Sequence, residues 1–302
     1  MKKLLVLSLA FLLIAGLPAF AGDAAAGGAP KILRISHYEV KPGKMATHDA
    51  LVRQVREALN TGNANYHWIA AQPMTGNSNE TVFINFYDNY AEFGQRSEEI
   101  GKAAQATFQR ADFIRDVADS QESTHGIIAK LRADLSYNPQ KLDIAHARQW
   151  EVSLVRLKPG TEMEFADLEK EAIELHKRGN IDEHWVTYEV QYGTAGPAFI
   201  FIRSLKTLAD LDVDLKDAHK AVFNDTIRRR FSAVARESVT YEKSQILRVR
   251  PEISRPSETL VAANPDFWTV KEEPTAVATK GKAKPKTAVQ PAAMKSEEKP
   301  KN

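Results

Sequence analysis

Two stretches of the chain resemble each other: "TGNANYHW" at Thr61–Trp68 and "RGNIDEHW" at Arg178–Trp185. Both read Gly-Asn-x-x-x-His-Trp, and the second begins 117 positions after the first. A motif that returns at a fixed distance indicates an internal repeat, and a repeat determines how the rest of the chain is interpreted. The question is whether the second copy marks a binding site or a second copy of a fold.

The same offset aligns the chain with itself, without gaps, from about Ile32 to Pro139. The "KPG" at Lys41–Gly43 meets the "KPG" at Lys158–Gly160, and Pro139 meets Pro256. We therefore predict a tandem duplication. The predicted segments are a short linker at 22–31, a first unit at 32–139, a linker at 140–148 and a second unit at 149–256.

Each predicted unit has the element order β-α-β-β-α-β. The opening stretches "ILRISHYEV" and "QWEVSLVRL" alternate like strands. Pro-Gly ends each, an amphipathic helix follows, and the His-Trp pair opens a β-hairpin. A long helical region and a last strand complete the unit, which is the ferredoxin-like arrangement. The bare face of such a sheet needs a cover. We expect an α+β fold in which two tandem ferredoxin-like units pack sheet to sheet as a pseudo-dimeric α+β barrel.

In this element order, in the strand–"KPG"–helix opening and in the "HW…G" hairpin, the chain resembles the dimeric α+β barrel superfamily. Its members include antibiotic-biosynthesis-monooxygenase-like and NIPSNAP-like proteins, and the resemblance spans about Ile32 to Pro256. It implies a range of activities: cofactor-less monooxygenases, haem-degrading and haem-binding enzymes, small-ring isomerases and proteins without known activity. No catalytic signature of one subfamily matches residue by residue, and fold alone does not determine function.

The two ends differ from the repeated region. Residues 1–21 carry two lysines, a short apolar run and Ala19-Phe20-Ala21, a pattern typical of a secretory signal peptide cleaved after Ala21. We therefore expect an exported protein, periplasmic or secreted, with no transmembrane segment after cleavage. The chain has no cysteine, so its stability cannot depend on disulfides. Residues 257–302 form a predicted disordered tail rich in Lys, Ala and Pro, which either serves as a solvated tether or contacts anionic envelope molecules.

Strand alternation indicates which side chains of the first strands share a face. We expect the more apolar set to face the helices, and the other set, with Arg34, Tyr38 and Glu151, to face the barrel. Arg34 and Glu151 occupy equivalent positions with opposite charge. They either anchor a ligand or pin one unit to the other, since buried charges are normally paired. The set expected to face the helices is Leu33, Ile35, Trp150, Val152 and Leu154.

The repeated pairs His67-Trp68 and His184-Trp185 complete the candidate pocket. Histidine suits proton transfer near neutral pH and can ligate metal or haem. A neighbouring tryptophan can form one wall of a pocket for an aromatic ligand. Alternatively, the tryptophans are core residues and the histidines bond across the hairpin. Retention in both copies favours this structural role, because a catalytic residue is needed in only one copy.

The sequence contains no motif typical of a zinc or nucleotide site. No His-x₃-His or His-Glu-x-x-His spacing predicts a metal site, and no glycine-rich loop predicts a nucleotide. The repeated region is net acidic, which argues against nucleic acid. We expect a small-molecule-binding or structural module for a small apolar or aromatic ligand, with no predicted cofactor. The alternative is a cofactor-less monooxygenase-like or haem-binding oxidoreductase. The sequence does not decide whether the protein is an enzyme or which oligomer it forms.

Overall fold

The structure, a computed structural model, describes residues 29–270. The predicted signal peptide and the stretch from Lys271 to Asn302 lie outside the described residues. Between residues 29 and 270 the structure has no helix long and apolar enough to cross a bilayer.

Eight strands and nine α-helices make up the described part of the chain, together with short 3-10 helices. The strands are β1 (Ile32–Val40), β2 (Ile69–Pro73), β3 (Glu80–Tyr87), β4 (Gln121–Leu131), β5 (Gln149–Leu157), β6 (Val186–Tyr192), β7 (Ala198–Leu205) and β8 (Val239–Val249). The α-helices are α1 (Met45–Thr61), α2 (Tyr90–Ala103), α3 (Gln105–Phe108), α4 (Ala111–Ser120), α5 (Glu162–Arg178), α6 (Asp217–Val222), α7 (Asp225–Ser238), α8 (Glu258–Ala263) and α9 (Pro265–Trp268). The 3-10 helices span Ala133–Leu135, Pro139–Lys141, Leu208–Leu215 and Pro251–Ile253.

The strands form one closed antiparallel barrel in the order β1-β3-β2-β8-β5-β7-β6-β4. Within each half the neighbours run last-first-third-second: β4-β1-β3-β2 in the first half and β8-β5-β7-β6 in the second. The halves meet at two seams, where β2 pairs with β8 and β4 pairs with β6. The predicted α+β class is confirmed. The two four-strand sections join edge to edge, so closure leaves the barrel without a free sheet edge.

The barrel interior is packed with apolar side chains from all eight strands. Leu33 and Ile35 of β1 lie in this core, as does Trp150 of β5. The predicted assignment of faces is therefore wrong: the more apolar set points into the barrel, and Arg34 and Tyr38 lie on the helix side. The physical reason is that a closed barrel excludes water more completely than a layer covered by helices on one side. Hydrophobic burial therefore favours the purely apolar set inside.

The repeated Gly-Asn ends the first helix of each half. Asn63 and Asn180 adopt left-handed backbone, with φ of 49° and 45°. The glycine before each permits close helix approach, because a Cβ on Gly62 would lie 2.8 Å from Ala103 Cβ. On Gly179 a Cβ would lie 2.6 Å from a Val222 methyl group. These residues are needed to turn and pack the chain in both halves.

Each of the repeated tryptophans forms a hydrogen bond to the end of the other half. The Trp68 indole donates to the carbonyl of Ile253, at the end of the second half, over 2.8 Å. The Trp185 indole donates to the carbonyl of Leu135, at the end of the first half, over 3.0 Å. The same hydrogen bond thus forms twice, in opposite directions, and it explains why both halves keep the residue.

Strand register corrects the ungapped alignment. In the first half Ile69 pairs with Ile84, whereas in the second Val186 pairs with Ile202. The first strand of the hairpin therefore keeps the offset of 117, while its second strand follows an offset of 118. The turn of the second hairpin holds one additional residue, which sequence identity alone did not reveal.

The predicted disordered tail begins too early. Residues 257–270 form α8 and α9, and the Ser257 side chain caps α8 by accepting from the Leu260 amide. Trp268 is only 5% exposed, packs on the barrel core and donates to the Ala145 carbonyl over 2.9 Å. These apolar residues offset the entropy cost of ordering the segment.

Candidate functional site

A cavity of about 260 Å³ lies between the first-half sheet and its helices. Alternate residues of β1 and β3 form its floor, and side chains from α1 to α4 form its roof. Its walls are mostly apolar, as in typical small-molecule sites. The apolar and aromatic lining consists of Leu51, Val52, Val55, Tyr66, Trp68, Phe83, Ile100, Phe108, Phe113 and Val117.

Arg34 brings a positive charge to the cavity floor. Its guanidinium donates a hydrogen bond over 3.1 Å to the hydroxyl of Tyr66, which is a neutral partner. Within residues 29–270 no carboxylate pairs with it. Because a partly buried cation is stabilised by an opposite charge, this end of the cavity favours an acidic or acceptor group.

Tyr38 lies two residues along the same face of β1 and also lines the cavity. Burial raises the pKa of Tyr38, although Arg34 acts in the opposite direction. The phenol is therefore protonated at neutral pH and offers a hydroxyl donor. Its ring meets Phe83 edge to face, with 5.1 Å between ring centroids.

His48, on the first turn of α1, is the histidine that lines the cavity. Its side chain is buried, with 1% of the residue exposed, and neither ring nitrogen has a hydrogen-bond partner among the described residues. Burial lowers the pKa of His48; Asp49 opposes this shift and Arg250 adds to it. The imidazole is therefore neutral near pH 7, and it can donate one hydrogen bond and accept another.

The Ser36 hydroxyl is a second polar group without a partner in the described part of the chain. Ser36 pairs in register with Gly126 of β4. At the corresponding place in the second half, Ser153 faces Ser244 and the two hydroxyls bond over 2.7 Å. The glycine thus removes the partner that the second half supplies.

The equivalent layer in the second half carries packed aromatic side chains. Phe165 takes the position of His48 and stacks on Phe199, with 5.4 Å between centroids. Val155 takes the position of Tyr38. Arg203, opposite Glu151 in register, forms ion pairs with Glu151 and Glu183. Stacked rings and paired charges therefore stand at these positions, where the first half has its unpartnered groups.

The structure separates the residues proposed from the sequence. Arg34, Tyr38 and Trp68 meet in the cavity. His67 does not line it: its Nε2 lies 2.8 Å from the Asn65 side-chain oxygen.

The second-half candidates lie elsewhere. His184 bonds to the Ser204 hydroxyl over 3.0 Å and borders a polar cleft of about 720 Å³. Trp185 makes the anchoring bond to Leu135 described above. Glu151 lies 3.3 Å from the Arg203 guanidinium, so it pairs within its own half.

Sequence reasoning did not select His48. The signal was the replacement of His48 by Phe165 at the same place in the second half. This contrast indicates a position that packing alone does not require to be polar. Its burial and its missing partners become visible only when the helices are placed over the sheet.

Haem, the cofactor that the sequence left open, does not fit this site. The buried His48 has the nitrogen chemistry of an axial ligand. The space of about 260 Å³ nevertheless falls below the range of roughly 300–1,000 Å³ usual for drug-sized ligands, and a porphyrin is larger still.

Comparison with known proteins gives a likeness of fold only. No family model and no curated protein sequence matches the chain. A Fusobacterium nucleatum protein provisionally assigned as a monooxygenase aligns over 73% of this chain and 93% of its own, with 14% identity and a TM-score of 0.47. Chlorite dismutase from Candidatus Nitrospira defluvii aligns over 79% and 97%, with 7% identity and a TM-score of 0.46. A heme-binding protein from Thermus thermophilus aligns over 75% and 95%, with 11% identity and a TM-score of 0.39.

Since these TM-scores lie below 0.5, the likenesses assign neither a family nor an activity to this chain. The side chains of the cavity are therefore the basis for a functional proposal.

Proposed function

We propose that this protein binds one small, mainly apolar molecule with an acidic or acceptor group in the first-half cavity. The observation that carries the proposal is His48, buried at the cavity wall with both ring nitrogens unpartnered among the described residues. Leaving a buried polar atom without a partner costs about 1–3 kcal/mol, which a ligand's own polar group offsets.

The positive charge of Arg34 on the cavity floor favours a ligand with an acidic or acceptor group. Among residues 29–270, Arg34 meets only a neutral hydroxyl, while the opposite walls are aromatic and aliphatic. A one- or two-ring aromatic acid satisfies both ends, with its ring among Trp68 and Phe83 and its carboxylate toward Arg34. An aromatic amine would place like charge against Arg34.

Calorimetric titration of the purified protein tests this preference. The probes are 1-naphthoic acid, 1-naphthol and 1-naphthylmethylamine, which differ at the polar end. We expect the acid to bind best and the amine worst, and Arg34→Gln to bring the acid down to the affinity of the naphthol. Arg229→Gln removes an exposed arginine on α7 and should change nothing. Equal affinity for acid and amine, or no effect of Arg34→Gln, would contradict the proposal.

A second candidate function is proton transfer on such a ligand, and the neutral state of His48 favours it. A neutral imidazole beside the protonated Tyr38 can accept a proton while the phenol donates to a carbonyl oxygen. Exchange of the acidic C–H of 2-tetralone in D₂O, followed by NMR, measures this step. The protein should accelerate exchange, His48→Gln should lose the acceleration, and His184→Ala should keep it.

We also infer that the halves are tandem copies of a ferredoxin-like unit and that the chain belongs with the dimeric α+β barrels. The matching strand orders and the reciprocal tryptophan anchors support this history. Export through the amino-terminal segment remains part of the proposal and is supported by its signal-like sequence. Amino-terminal sequencing of the protein from its producing cell would test it by locating the mature end after Ala21.

A further inference from the structure

We propose a second site, for a divalent transition-metal ion such as Zn²⁺, formed by His176, Glu183 and His219 in the second half. These residues come from α5, from the segment before β6 and from α6, so no sequence motif joins them. One donor atom from each lies within 4.8 Å of the other two. Two imidazoles and one carboxylate form a common donor set for Zn²⁺ and related ions.

The hydrogen bonds of His176 point to a cation. Its Nδ1 lies 2.7 Å from the Ala172 carbonyl, which can only accept, so Nδ1 carries the proton. Its Nε2 lies 3.0 Å from Glu183 Oε2, which is also an acceptor. Both nitrogens therefore face acceptors, and either a second proton or a metal ion must lie between Nε2 and the carboxylate. A metal-bound histidine usually donates its other N–H to such a carbonyl.

The spacing suits a tetrahedral ion. Bonds of about 2.0–2.2 Å imply donors roughly 3.3 Å apart, close to the separation of His176 Nε2 and Glu183 Oε2. His219 offers a donor atom within 4.8 Å of both. The three protein donors leave a fourth position for water, as in open zinc sites.

The surroundings are largely apolar and hold the ligands in place. Trp185 meets the His176 ring edge to face at 4.8 Å, and Phe223 stacks on His219 at 4.7 Å. The Arg203 guanidinium forms an ion pair with Oε1 of Glu183 and a second one with Glu151. It therefore orients the carboxylate and leaves Oε2 for the cluster.

The first half offers no equivalent donors. Leu59 stands where the second half has His176, and Tyr66 stands where it has Glu183. The proposed metal site and the proposed ligand cavity thus belong to different halves and can be tested independently.

Zn²⁺ titration of the full mature chain by calorimetry, with thermal unfolding in parallel, tests the site. We expect one saturable Zn²⁺ per chain and a melting temperature that rises with Zn²⁺, since an ion bound only to the folded state stabilises it. His219→Ala, which alters a partly exposed residue, should weaken binding at least tenfold and remove the rise. The conservative Glu183→Gln should do the same. His146→Ala is the matched control, because His146 pairs with Asp143 near the surface, away from the three proposed ligands, and it should bind like wild type.

Three results would overturn the proposal: no saturable 1:1 binding, unchanged binding in folded His219→Ala, or loss of binding in His146→Ala. A Co²⁺ titration gives a second readout. Visible absorption of a tetrahedral site should appear in wild type and vanish in His219→Ala, even where a variant is less stable.

Discussion

The two halves of the barrel share a strand order but differ in the layer between sheet and helices. In the first half this layer holds a cavity lined by Arg34, Tyr38 and His48. In the second half Phe165 stacks on Phe199 at the corresponding place, and Arg203 is paired with carboxylates. The difference shows that the fold does not require the cavity. One half achieves its packing without it, so the unpartnered polar groups of the other half need a separate reason.

The largest expected effect concerns stability, and it tests the difference in packing between the two halves. Phe165 is 4% exposed in a packed layer, so Phe165→Ala should lower the free energy of unfolding by about 3–5 kcal/mol. His48→Ala should cost less than about 1 kcal/mol, because it borders existing space and removes two unpartnered nitrogens. Chemical denaturation of both variants measures the difference. Similar losses would mean that His48 is a packing residue like its counterpart.

A smaller effect concerns Glu169, which stands where the first half has the cavity-lining Val52. Burial raises the pKa of Glu169 to about 7, although His176 acts in the opposite direction. The folded protein therefore holds this proton more tightly than the unfolded chain. The stability it contributes is complete below the unfolded pKa near 4.5 and is lost as the pH rises through about 7.

Glu169→Gln should therefore match wild type near pH 4.5 and exceed it at pH 8 by about 1–2 kcal/mol, a value reduced for partial exposure. Denaturation at a series of pH values measures this divergence. A constant difference between the two proteins across the range would argue against a buried, titrating carboxyl.

The smallest expected effect comes from giving Ser36 the hydrogen-bond partner that its counterpart Ser153 has. Gly126→Ser copies Ser244, and a Cβ at Gly126 would lie 3.4 Å from Ser36 Oγ, so a hydroxyl can reach it. Gly126→Ala makes the same backbone change without the hydroxyl. We expect the serine variant to be more stable than the alanine variant by about 0.5–1 kcal/mol. Equal stability would indicate that Ser36 already has a partner in solution.

The sequence was sufficient for the barrel because period-two strands and a repeated motif are local signals. It placed β1, β5 and the hairpins and identified Arg34, Tyr38 and Trp68. It failed on the direction of the faces, because both alternate sets of β1 contain apolar residues and alternation alone does not say which face is closed off from water. It missed the long helical region's division into α2, α3 and α4.

The rest of the site depends on contacts between distant segments. His48 becomes notable only when α1 lies over β1, and the Ser36–Gly126 contrast needs the pairing of β1 with β4. The metal-ligand candidates His176, Glu183 and His219 meet only after α5 and α6 pack together. Sequence spacing carries none of this information.

We propose that the first half holds a ligand cavity and that the second half carries packed aromatic side chains in its place. The most direct test is calorimetric titration of 1-naphthoic acid into wild type and into His48→Phe, which copies Phe165. His184→Ala, outside the cavity, is the control, and circular dichroism verifies that each variant is folded. We expect one bound molecule per chain in wild type and in His184→Ala, and at least tenfold weaker binding in His48→Phe. Equal binding by wild type and folded His48→Phe would contradict it.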